Sequence, residues 1–376
     1  MTKNKKYLYS NCGVIFMNRI EMSSDGFSNE QIIEFRKIIN DHIKNARKKS
    51  RHDKCLLCGK VGGFCNSHTI PQFCLENIAW NGNLNSFNTL IDSDFLTKDS
   101  GINNAGTFHI ICKSCDNKMF QDYENSAAYQ SIPSETALNQ IVLKTSLRDI
   151  YKHEAEIEMY EAMKQVMEEK SPFLSLSINP MLDSQIKARK LDTRECYEIF
   201  NAAKENLFSP KNWLRIISYD KLNYTVPIAF QGMIALVTGV NGETINDNYN
   251  YESSYKVEYL HIAIFPLKQS SVVILFLDNK YTRYEKFEKF LSEATQEKRL
   301  EIINRIIFLY AEDYYLSKQL DDDIIRSLKE PAKILQDTIT TSPQKSCKNA
   351  VKDYDLRRDI CIPNLLLKEY SVKFEE

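Results

Sequence analysis

The sequence predicts an α+β protein, with a cysteine-bearing module ahead of a larger domain of mixed helices and strands. Three observations carry that expectation. Two Cys-x-x-Cys pairs stand 57 residues apart, at Cys55/Cys58 and Cys112/Cys115. Beyond them, strand-length apolar runs lie between segments of helical periodicity. The composition, 43% hydrophobic and 26% charged over 376 residues, is that of an ordinary globular chain long enough for two or three domains. We divide it into 1–54, 55–133 and 134–376.

In the N-terminal segment, residues 28–48 predict a helix. Ser28 and Gln31 have capping-box spacing, and Ile32, Phe35, Ile39 and Ile43 recur at helical intervals. Its end is basic: between Lys44 and Lys60 there are seven Lys and Arg residues against the single acid Asp53. Such a run ordinarily solvates a helix end. Lying directly before the first cysteine pair, it also supplies candidate nucleic-acid contacts in Lys44, Arg47, Lys48, Lys49, Arg51 and Lys54. The formal net charge is −1, so any nucleic-acid partner must be held by a local patch of this kind.

The middle segment holds the cysteine pairs and, between them, an Asn-rich stretch from Glu76 to Gly106 with weak periodicity, read as an irregular insertion. After Ser134 the expectation is one or two helices to Lys170. Strand-like runs follow: "FLSLSI", "TVPIAFQGMIALVTG", and "YLHIAIFPL" with "SVVILFLDN" as a buried hairpin. Helices return at "TRYEKFEKFLSEA" and "EKRLEIINRIIFLYAEDYYLSKQL", where Leu300, Ile303, Ile307 and Tyr310 form an apolar stripe. His261 reads as a core histidine within a strand. No apolar run reaches membrane-spanning length, and the N-terminus lacks a signal-peptide pattern, so a cytoplasmic protein without a membrane partner is expected.

Ten cysteines in an intracellular chain of this length do not read as a disulfide scaffold. Two knuckles aiming four thiolates at one point make a tetrahedral zinc site, with Cys55, Cys58, Cys112 and Cys115 as ligands and a structural role for the Zn2+. Cys65, Cys74 and His109 are neighbours able to substitute for one ligand. The second pair opens a helical pattern in which Phe120, Tyr123 and Ala127 share a face, so Cys115 falls near a helix N-terminus. A knuckle on a hairpin closing onto a knuckle that opens a helix is a treble clef. A redox reading lacks the βαβ setting. A zinc deaminase would need a His-x-Glu pair. "QGMIALVTGVNGETIND" lacks the spacing of a phosphate loop.

Cys-x-x-Cys, then "SHTIP", then a second Cys-x-x-Cys opening a helix resembles the HNH or ββα-metal nucleases. It is most like those stapled by a four-cysteine zinc, such as the endonuclease VII type, over about residues 52–130. The resemblance implies His68 as the general base that activates water. It also implies a catalytic Mg2+ or Mn2+ held by Asp116, with Asn117 and Glu124 as further candidates. Asn103 or Asn104 would take the central Asn position that orients the base. Ser67 departs from the pattern, which expects an acidic metal ligand there. Modules of this kind occur in phage-defence and mobile-element proteins, with DNA as the implied partner. Two readings stay open: a metal-dependent HNH-like endonuclease, and a non-catalytic zinc-stapled module binding nucleic acid or protein. Asp116 also suits a helix cap, and Glu124 an exposed carboxylate. In either case residues 134–376 offer a surface for a protein partner or small-molecule regulator.

Overall fold

The computed structural model describes residues 51–88, 98–170, 172–209, 211–247, 254–328 and 359–374, with a few isolated positions besides. It is a mixed helix and sheet protein. The predicted helix over 28–48 lies outside the described residues except at Lys37, Asp41, Asn45 and Lys48, which are helical and exposed.

Most strands form one antiparallel sheet. They are β2 (Asn83–Asn88), β3 (Lys98–Gly101), β5 (Leu214–Leu222), β6 (Ile228–Ile234), β7 (Leu260–Leu267), β8 (Ser270–Asp278) and β9 (Asp313–Leu316), in the spatial order β3-β2-β9-β6-β7-β8-β5. The expected hairpin is present as β7–β8, with His261 opposite Phe276 and Leu267 opposite Ser270. Its residues are buried on both faces because each face meets a different core. Ile262, Ile264, Val273 and Leu275 pack with the C-terminal helices α5 (Glu285–Glu293) and α6 (Gln296–Tyr310). Ala263, Phe265, Ile274 and Phe276 face the opposite way, toward the cysteine module. Period-two alternation thus divides one apolar run between two cores.

The second core is closed by a long antiparallel helical pair, α3 (Glu135–Lys170) and α4 (Pro172–Phe208). Near the sheet α3 is buried almost all round, with Ile141, Val142, Leu143, Leu147 and Ile150 each 1% exposed or less and the polar Lys144, Thr145 and Ser146 buried among them. "FLSLSI" is not the expected strand but the first turns of α4. Its alternation is too short to oppose a helix begun by Pro172, whose fixed φ suits the first helical position and whose missing N–H has no partner to lose there. The helical pair also carries ionic contacts. Arg189 bridges Glu156 (2.7 Å) and Glu312 (3.0 Å), Arg148 pairs with Asp313 (2.8 Å), and Lys152 with Glu312.

The Asn-rich segment is not irregular throughout. It opens on the last residues of helix α1 (Gln72–Ile78) and supplies β2 and β3, which pair with each other and, through β2, with β9. The module therefore contributes two strands to the main sheet. No helix among the described residues is long and apolar enough to cross a membrane.

Candidate metal centre and the His68 cluster

The first knuckle is a tight hairpin. Lys54 and Val61 bridge across it, the Cys55 N–H donates to the Lys60 carbonyl (2.9 Å), and the Gly59 N–H donates to the Cys55 carbonyl (2.8 Å). Gly59 has φ +71°, a conformation glycine adopts without side-chain strain. The second knuckle opens α2 (Lys113–Met119), where the Cys115 and Asp116 N–H groups both donate to the Cys112 carbonyl (3.0 Å). Backbone bonds join the two: Leu56 N–H to the Ile110 carbonyl (3.1 Å) and Lys113 N–H to the Gly63 carbonyl (3.0 Å).

The Sγ atoms of Cys55, Cys58, Cys112 and Cys115 lie within 4.8 Å of one another. Tetrahedral zinc with sulfur at about 2.3 Å requires sulfur–sulfur separations of about 3.8 Å, and Cys58 and Cys112 stand 3.8 Å apart. The donor set fits a zinc ion. Hydrogen bonding, led by the Lys60 backbone, pushes the Cys58 thiol down to about 7, toward the ligating thiolate. The possible substitutes have other settings. Cys65 Sγ lies 3.6 Å from Asp116 Oδ2, Cys74 is fully buried, and the His109 ring stands against Tyr151.

Beside this cluster the two-residue strand β1 (Ser67–His68) pairs antiparallel with β4 (Thr107–Phe108), His68 opposite Thr107. With α2 they form a strand–strand–helix unit. The His68 Nε2 lies 3.0 Å from the carbonyl oxygen of Ile102. A carbonyl only accepts, so Nε2 carries the proton and the neutral ring keeps its lone pair on Nδ1. Burial is the largest influence on this ring and lowers its pKa, keeping it neutral near pH 7, while the Ile102 carbonyl opposes that shift. The carbonyl belongs to a short 3-10 turn, Ile102–Asn104, in which Asn103 and Asn104 are exposed. It is the backbone beside these asparagines that meets His68.

Ser67, fully buried, points to the other side of β1. Its hydroxyl donates to Asp116 Oδ1 (2.8 Å) and accepts from Lys144 Nζ (2.7 Å), and Lys144 also donates to Asp116 Oδ1 (2.6 Å). Glu124 Oε1 lies 3.7 Å from the same ammonium. Glu124 does not reach it along α2, because that helix ends at Met119 and Phe120 leaves the helical conformation. The helical pattern expected to run through Phe120, Tyr123 and Ala127 therefore stops short of them, and Asn117 and Glu124 do not share a helix. Asn117 is exposed on α2. Of the basic residues, Lys48, Arg51 and Lys54 are exposed, while Lys44, Arg47 and Lys49 lie outside the described residues.

Sequence reasoning missed Lys144. The available signal was the one charged residue inside "NQIVLKTSL", next to Ile141, Val142 and Leu143, where a buried cation requires an anionic partner.

Comparisons with protein-family models, with curated proteins and with solved structures found no match to this chain.

Proposed function

We propose that this chain is an HNH-like endonuclease cleaving nucleic-acid phosphodiester bonds, built on a treble-clef module with structural zinc and using His68 as general base. The observation that carries the reading is the His68–Ile102 hydrogen bond. It sets the tautomer so that the unprotonated Nδ1 is free to take a proton, and burial keeps the ring neutral. In the reaction, Nδ1 accepts a proton from water as the water oxygen bonds to phosphorus. The ester P–O bond breaks, and the leaving alkoxide is protonated by solvent. Lys48, Arg51 and Lys54, exposed before and at the first knuckle, suit the phosphate backbone, with DNA the preferred substrate and phage defence or a mobile element the setting. The step is written without the Mg2+ or Mn2+ implied by the resemblance, because Asp116 Oδ1 accepts from Ser67 and Lys144 and Oδ2 faces Cys65 Sγ at 3.6 Å.

The test is nicking of supercoiled plasmid by zinc-loaded protein, with and without added magnesium or manganese. Cleavage by the wild type and its loss in His68→Ala, at unchanged zinc content and melting temperature, supports the reading; no cleavage under any condition overturns it. The second reading is a non-catalytic zinc-stapled module binding nucleic acid or protein. It is favoured by the same Ser67–Asp116–Lys144 contacts, and it predicts plasmid retardation without nicking.

A further inference from the structure

We infer that the ammonium of Lys144 is the resident cation of the Ser67–Asp116–Glu124 cluster and excludes divalent ions from it. Ion exclusion stands on the geometry alone; its catalytic consequence, divalent-independent cleavage, rests on the endonuclease reading above.

The Lys144 side chain is 1% exposed. Its Nζ donates to Ser67 Oγ and Asp116 Oδ1 and lies 3.7 Å from Glu124 Oε1. It also sits over the ring of Phe120 at 4.3 Å and of Tyr123 at 5.6 Å, so negative π faces complete a cation-binding shell. This is the environment a small cation seeks, and it is already filled. Magnesium or manganese at Asp116 needs about six oxygen ligands. Here Asp116 Oδ1 is engaged twice and Oδ2 lies 3.6 Å from Cys65 Sγ, and a dication at either oxygen would meet the Lys144 charge within a few ångströms. Lys144 has little freedom to withdraw, since its helical neighbours Leu143 and Leu147 are fully buried.

The same geometry accounts for Ser67. A hydroxyl can accept from the ammonium and donate to Asp116 at once, closing a three-membered hydrogen-bonded ring. A carboxylate at this position would only accept and would press against Asp116. Serine here and lysine at 144 are two parts of one arrangement. Being buried, Lys144 is a positioning residue: it fixes Asp116 and Ser67, and Ser67 is the strand neighbour of His68.

The deciding measurement is manganese binding to full-length, zinc-loaded protein, followed by electron paramagnetic resonance of free Mn2+. The expected result is no site in the wild type that Asp116→Asn removes. Lys144→Met should gain at least about tenfold in Mn2+ affinity through relief of charge repulsion. Manganese bound by the wild type and lost in Asp116→Asn overturns the inference, as does a folded Lys144→Met chain with no gain. The wild-type measurement decides even if that variant fails to fold. Plasmid nicking in divalent-depleted buffer is the catalytic arm: a rate within about twofold of that with magnesium is expected, and activation of tenfold or more that Asp116→Asn removes contradicts exclusion. Absence of all cleavage overturns the endonuclease reading and leaves the manganese result standing.

Discussion

Lys144 Nζ stands 2.6 Å from Asp116 Oδ1, joining the buried face of α3 to helix α2, which carries Cys115. Removing one member of such a pair strands a charge away from water. Lys144→Ala should lower stability to urea by about 3–5 kcal/mol. The Lys144→Met/Asp116→Asn double variant should recover part of that loss, because neither charge is then left alone. Equal loss in single and double variants would mean that the pair contributes little.

Zinc content should be one ion per chain, measured by plasma mass spectrometry of purified protein. Cys112→Ser should abolish it. The loss should spread beyond the knuckles, because the metal's binding energy in sites of this kind is also folding energy. Hydrogen exchange is expected to accelerate over residues 54–61 and 107–119 before the β7–β8 hairpin responds. Full zinc retention in Cys112→Ser would show that the four sulfurs do not act together.

Gly106 holds φ +64°, and a Cβ there would meet the Tyr315 hydroxyl at 2.9 Å. Its carbonyl accepts from both the N–H (3.0 Å) and the hydroxyl (2.9 Å) of Thr69. Gly106→Ala should therefore cost about 1–3 kcal/mol. It should also disturb the turn that presents the Ile102 carbonyl to His68, lowering any nicking rate more than plasmid binding. A fully stable Gly106→Ala chain would contradict the strain argument.

His261 lies against Phe276, its ring stacked at 4.9 Å, and its Nδ1 has no hydrogen-bond partner among the described residues. Burial pushes its pKa down to about 4 from the usual 6.5. The unfolded chain thus binds the proton that the folded chain refuses. Stability is unaffected by this group above pH 6.5 and falls progressively as pH drops toward 4, by about 3 kcal/mol in all. His52 acts with the opposite sign: its bond to Glu154 raises its pKa, adding stability below 6.5 that is lost as pH rises through the folded value. Urea unfolding of His261→Leu against wild type across pH 4–7 isolates the first contribution, which should vanish in the variant. Parallel pH profiles would refute the assignment.

Much of this architecture was legible beforehand because its causes are local. The spacing of Cys55, Cys58, Cys112 and Cys115 marked the sulfur cluster, and the apolar runs marked β7 and β8. Other features depend on partners distant in sequence. "FLSLSI" alternates like a strand, yet lies on α4 against α3. The Asn-rich segment has few apolar residues, but Leu84 and Phe87 find buried places once β2 meets β9. The His68 cluster was half visible: the histidine and Asp116 flank the knuckles, whereas Lys144 arrives from another helix and is found only by asking what neutralises a buried lysine with no charged neighbour within four residues before it.

The way β2 sits beside β9 has a practical consequence. A fragment starting at residue 134 keeps β9 but removes its neighbour, baring backbone donors and acceptors along a strand whose Tyr314 and Leu316 are apolar. Such an unprotected border invites a second chain to dock edgewise. Expression of the C-terminal part alone should accordingly yield oligomers or precipitate, and adding back β2 and β3 as a covalent extension should restore a monodisperse product.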